Sequence, residues 1–171
     1  MNLQSLTMKL DSLEDLFVDQ IQDLYSAEKM IITALPKMIE KCSSQELGGG
    51  LQEHLEQTRQ QVFRLDRIFD GLSKVDREKK KCKGMEGIID EGEELLKKRA
   101  DAPVRDAGII ASAQKVEHYE IAGYGTARTY AKLLGREDWA QLLQETLNEE
   151  KEADKKLNGF AERINLEAKA A

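Results

Sequence analysis

Apolar residues recur every three or four positions through most of this chain, the spacing that gives an α-helix one buried stripe. Four long patterns of this kind emerge. The first spans about 12–41, with Leu13, Phe17, Ile21, Leu24, Ile31, Leu35 and Ile39 on its stripe. Ser12 is placed to cap its start, Glu14 and Asp15 favour its first turn, and Pro36 should kink it. The second spans about 46–72, with Leu51, Leu55, Thr58, Val62, Leu65 and Phe69 facing inward. Ser43 and Glu46 make a capping-box pattern ahead of it, but three glycines weaken the opening turn, so a start after Gly50 also fits. The third runs about 103–134, with Pro103 tolerated in its first turn and Gly135 ending it. The fourth runs about 137–164 and buries Trp139, Leu143, Leu147, Leu157, Ala161 and Ile164.

Connection lengths set the topology. The links near 42–45 and 135–136 are short enough to make two antiparallel helical hairpins. Residues 73–102 are charge-rich, hold one short amphipathic segment at roughly Met85–Lys98, and are long enough to carry the chain back along the bundle. The third long helix then runs parallel to the second. The expected fold is all-α: one domain over residues 1–171, a ferritin-like four-helix bundle whose long crossover carries a short extra helix. Ile88 and Ile89 on that segment either cover the bundle or contribute to a dimer.

The stripes hold charges that do not belong in an apolar core. In "AQKVEHYEIAGYGT" (113–126) Glu117 and Glu120 flank the centre of the third helix's apolar face. Glu28 lies between Leu24 and Ile31, and Glu150 and Asp154 take consecutive inward places on the fourth helix. His54 sits at the edge of the second stripe, with Gln61 near it and Gln57 further round. Counting along antiparallel helices at 1.5 Å per residue brings all five carboxylates to one depth, within about a turn. Five anions in a dry bundle centre repel one another and oppose folding, and two divalent cations would offset most of that charge. Oxygen ligands with an occasional imidazole suit iron or manganese. The candidate metal residues are therefore Glu28, His54, Glu117, Glu120, Glu150 and Asp154, with His54 either a ligand or a supporting donor. His118 points to the surface. Tyr25 and Tyr124 lie near the layer, as core residues or as hydrogen-bond donors or redox partners.

Composition narrows the partners. The chain has 171 residues, a net charge of −6 and only 5% aromatics, which argues against a broad nucleic-acid surface. Its densest basic run, "REKKKCK" (77–83), reads as a solvated connector. No apolar run approaches the roughly 20 residues that span a bilayer, and the N-terminus lacks the regions of a signal peptide. Cys42 and Cys82 are far apart with no metal-binding spacing, so free thiols in a cytoplasmic protein are expected.

"DLYSAEK" (23–29), "HLEQT" (54–58), "RDAGIIASAQKVEHYEIAGYGT" (105–126) and "LLQETLNEEKEAD" (142–154) closely resemble the YciE/YciF family of ferritin-like bacterial stress proteins, over roughly residues 10–165. The resemblance implies a cytoplasmic, rubrerythrin-related bundle, commonly a homodimer, associated with stress responses. It matches Glu28 to the family's first-helix glutamate, Glu117 and Glu120 to its third-helix pair, and Glu150 to its fourth-helix acid. Asp154 takes the place where rubrerythrin-like proteins often use histidine. Gln57 departs from the pattern, since family members often carry glutamate there, while Glu53 and Glu56 face outward. Two functions follow as expectations: a dinuclear iron or manganese oxidoreductase handling oxygen or peroxide, or a non-enzymatic stress protein that metal, if bound, only stabilises. DNA protection by an assembly fits the acidic chain less well.

Overall fold

The computed structural model describes residues 10–72 and 75–171, and all regular structure among them is helical. The first hairpin pairs α1 (Leu13–Lys41) with α2 (Gln45–Asp70), α3 (Lys83–Lys97) occupies the crossover, and the second hairpin pairs α4 (Ala102–Leu133) with α5 (Glu137–Ala170). α1 packs on α2 and α4, and α5 packs on the same two, so the four long helices close into a ring. α3 lies against α1 and α4. Asp106 meets the end of α1 at Ser43, while Tyr119 meets Asp23 further back, so α4 is antiparallel to α1 and parallel to α2. That is the ferritin-like order expected from the loop lengths. Gly135 closes the second hairpin at φ +72°, a left-handed conformation that favours glycine. The expectation of no signal peptide falls on residues 1–9, outside the described residues.

Two helix boundaries differ from expectation. α2 is capped by Ser44, whose Oγ accepts the Leu47 N–H at 3.3 Å, and the helix runs through all three glycines. Leu47, fully buried, anchors that first turn in the core, and Gly50 leaves the space that the Phe160 ring occupies. Glu46 closes no capping box; it reaches Arg163 at 2.6 Å. α5 continues six residues past Ile164, to Ala170, because its tail is rich in helix formers and Arg163 pairs with Glu167 one turn on. α1 passes through Pro36 as one helix.

Asp106 fixes how the hairpins meet. It is buried, and its two oxygens accept the Ser43 and Ser44 N–H groups at 2.9 and 2.8 Å. These donors belong to the turn between α1 and α2 and would otherwise lack partners. Asp106→Ala is expected to cost about 2–4 kcal/mol, read as a lower urea midpoint with an unchanged slope. A shift indistinguishable from zero would show that the turn holds without it.

The core divides into two apolar halves. One gathers Ile31, Leu35, Leu51, Leu55, Ile109 and Leu157, and the other gathers Phe17, Ile21, Leu65, Tyr124, Trp139 and Leu143. On α2 the halves are separated by the stretch between Leu55 and Leu65, on α4 by that between Val116 and Tyr124, and on α5 by that between Leu147 and Leu157. The polar layer sits in this gap. The basic run before α3 is largely exposed, as expected of a solvated connector, but it is tied down at three points. Arg77 reaches Asp66 and Lys80 reaches Asp19, both at 2.6 Å, and Cys82 is fully buried. Ile88 and Ile89, partly buried, pack against the first half-core and so help to cover the bundle. Both cysteines are free, and among the described residues no helix is long and apolar enough to cross a membrane.

Candidate metal centre

Each long helix sends polar side chains into the gap between the half-cores. α1 contributes Glu28, α2 His54 and Gln61, α4 Glu117, Glu120 and Tyr124, and α5 Glu150, all buried. Glu117 and Glu120 share a face because residues three apart on a helix are neighbours, and Tyr124 follows one turn later. Ligand atoms from His54, Glu117, Glu120 and Glu150 lie within 4.8 Å of one another. His54 Nε2 is 3.4 Å from Glu117 and 3.9 Å from Glu150. Glu28 joins from the other side, close enough to Glu120 to raise its pKa, and accepts the Tyr124 hydroxyl.

Much of this set is left without partners. Both nitrogens of His54, both oxygens of Glu120 and one oxygen each of Glu28, Glu117 and Glu150 have no geometrically sound hydrogen bond. An unmet buried polar atom costs roughly 1–3 kcal/mol, and more when charged, so this density of them is not a device for stabilising a fold. Burial, helped by the Glu150 charge, pushes the Glu28 and Glu117 carboxyls well above the usual carboxylate range. Burial and Glu28 do the same to Glu120, and to the phenol of Tyr124. These are carboxylate and imidazole donors with free lone pairs and excess negative charge, facing one another in a dry interior. The donor set fits a divalent cation.

Asp154 was expected among these ligands and stands outside the cluster. It is half-buried, accepts from Gln114 at 3.1 Å and from Asn158 at 3.3 Å, and lies 3.4 Å from the exposed His118. Four residues advance about 40° past a full turn, and on α5 the buried line leans the other way, through Ala153 and Leu157. Tyr25 is a core residue, edge-on to Phe69. Tyr124 combines two of the roles considered for it: its ring is in the core and its hydroxyl serves Glu28. Glu53 and Glu56 face outward, paired with Lys156 and Arg59.

The α2 contribution that sequence reasoning underrated is Gln61. It is fully buried and donates Nε2 to Glu150 and, at 3.1 Å, to Glu149, which Arg64 grips through two bonds of 2.6 and 2.7 Å. Gln57 is only half-buried. Seven residues separate His54 from Gln61, two helical turns, and that spacing was the available signal. Gln61→Glu is expected to lower the stability of the metal-free protein and slow metal loss to a chelator, since it trades a donated hydrogen bond for another anion. Unchanged chelator kinetics would place Gln61 outside the ligand sphere.

A helical bundle with a buried layer of carboxylates and one imidazole that could hold a metal ion is the class that this fold and site define. The family model described as a domain of unknown function (DUF892) matches residues 12–170, and the chain belongs to that family. Protein YciF of Escherichia coli (strain K12) is 44% identical over 154 residues, covering 90% of this chain and 93% of that protein. The crystal structure of the E. coli stress protein YciF superposes with a TM-score of 0.87 at 43% identity, over 90% of this chain and 97% of that one. YcfI, a putative structural protein from Rhodopseudomonas palustris, superposes at 0.85 with 43% identity, over 90% and 98%.

Proposed function

We propose that this chain is a YciF-like stress protein that holds a dinuclear iron or manganese centre in its polar layer and uses it on oxygen or peroxide. The observation that carries this reading is the convergence of His54, Glu117, Glu120 and Glu150, all buried, with ligand atoms within 4.8 Å and lone pairs unused. Glu28 would supply the α1 carboxylate, with Glu117 and Glu120 supplying those of α4. Bound there, either metal would supply redox chemistry toward oxygen or peroxide. The protein's part is to hold the acids in register, exclude bulk water with the two half-cores, and orient Glu28 by the hydrogen bond that the Tyr124 hydroxyl donates to it. The kinship with a protein described as a stress protein supports the setting. Ferrous-loaded protein is expected to consume peroxide faster than free ferrous iron does.

One observation favours a second reading, a bundle in which metal acts only as a staple. On α2 the fully buried partner of Glu150 is the neutral amide of Gln61 rather than an acid. In that case unfolding temperature tracks metal occupancy while peroxide consumption stays at the level of the free ion. The same two assays separate the readings.

A further inference from the structure

A small cavity lies beneath α3, between α1 and α4, and reaches the polar layer. Its wall is mostly hydrocarbon: Leu35, Ile88, Ile89, Leu96, Ala113 and Val116. At its inner end stand His54 and Glu117, residues whose Nδ1, Nε2 and Oε2 atoms are without hydrogen-bond partners. At its outer rim Lys37 and Glu93 pair across α1 and α3 at 2.5 Å, closing the polar side of the mouth. The volume is about 20 Å³ to the centre of a water-sized sphere, so it accepts one or two small molecules and no organic substrate. Along the hydrocarbon stretch between rim and inner end, water finds none of the two to four polar partners that it needs.

From this geometry we infer that the cavity beneath α3 is a binding and entry site for a small apolar gas, dioxygen, on its way to His54 and Glu117. This deepens the metal reading and rests on it for its purpose. A second cavity approaches the same two residues from between α2 and α5, and Gln57 and Lys156 contribute to its lining. Gln57 and Lys156 make that approach more favourable to polar molecules than the hydrocarbon wall beneath α3, which suits a molecule that prefers apolar surroundings. α3 is then more than a connector. It roofs the cavity with Ile88, Ile89 and Leu96, and Gly92 lets it sit close, its position lying 3.1 Å from Met38 and 3.6 Å from Ser112 when given a Cβ.

The test uses the full metal-free chain, so it does not depend on the centre being loaded. Dissolved dioxygen is paramagnetic and speeds relaxation of nearby methyl groups in NMR. Under oxygen pressure the methyls of Ile88, Leu96 and Val116 are expected to show enhancements severalfold above those of Leu24 and Leu65, which are more deeply buried in the bundle. Ala113→Leu, which fills the cavity, should bring the three down to the level of Leu24 and Leu65. Ile88→Ala, which enlarges the cavity, should raise the enhancement at Leu96 and Val116, and this holds the test open if the filled variant fails to fold. Equal enhancement at all five sites in the wild type, or no response to either substitution, overturns the inference. Metal content is measured separately on each variant. Wild type that takes up no iron or manganese when supplied, yet gives a strong oxygen signal when metal-free, would sink the metal reading and leave the gas site standing, whereas full uptake without the signal would do the reverse.

Discussion

Replacing Glu120 with alanine or glutamine is expected to strip the protein of metal while leaving the metal-free bundle folded. Glu120 is fully buried, both its oxygens lack partners, and it lies between Glu28 and the His54 side of the layer. Losing it removes a direct ligand, so affinity should fall by at least the roughly 10–100-fold that loss of a supporting outer residue costs. The metal-free protein responds in the opposite direction. Glutamine keeps the volume and deletes an ionisable group that burial and its neighbours oppose, which should raise stability by about 1 kcal/mol, or roughly 2–4 °C in melting temperature. Calorimetry on stripped and loaded forms of wild type and Glu120→Gln checks both signs. A variant that binds metal like the wild type would remove Glu120 from the ligand set.

The second large effect is a reversal of pH dependence on loading. Burial holds the Glu28, Glu117 and Glu120 carboxyls well above the usual carboxylate range in the folded state. As pH rises above about 4.5, the unfolded chain releases these protons first and the folded chain retains them. The unfolded state then binds fewer protons, so these three groups lower the stability of the metal-free protein as pH rises through their folded values. Metal binding demands the deprotonated carboxylates and releases the same protons, so affinity strengthens with rising pH. The metal-free protein should therefore be stabler near pH 5 than near pH 7, and the loaded protein the reverse. Urea titrations at several pH values, with and without added iron or manganese, measure this. Parallel pH profiles for the two forms would contradict it.

Most of the fold could be read from the chain because helix periodicity and loop length are local signals that tertiary contacts reinforce. The five helices, the two hairpins and the parallel placement of α4 beside α2 follow from them. Much of what escaped had non-local causes. The start of α2 depends on Leu47 entering the core and on Asp106, sixty residues away, receiving its turn. The end of α5 escaped for a local reason: helix formers and the Arg163–Glu167 pair extend it past the last apolar residue of its stripe. At the site, Glu28, Glu117, Glu120 and Glu150 were legible because each interrupts an otherwise apolar stripe. Asp154 misled for the same reason: along one helix it occupies an inward-looking place, and only the packing of α5 against its neighbours shows which side of that line is buried. Gln61 was undervalued because a neutral amide carries no charge to betray its burial.

Metal content per chain, by elemental analysis of protein purified without chelators, bears most directly on the central claim. The account predicts roughly two equivalents of iron or manganese in the wild type, on the precedent of paired ions in carboxylate bundles, and none in Glu120→Ala. Wild-type protein that is fully stable, carries no metal, and takes up neither ion when supplied would contradict it.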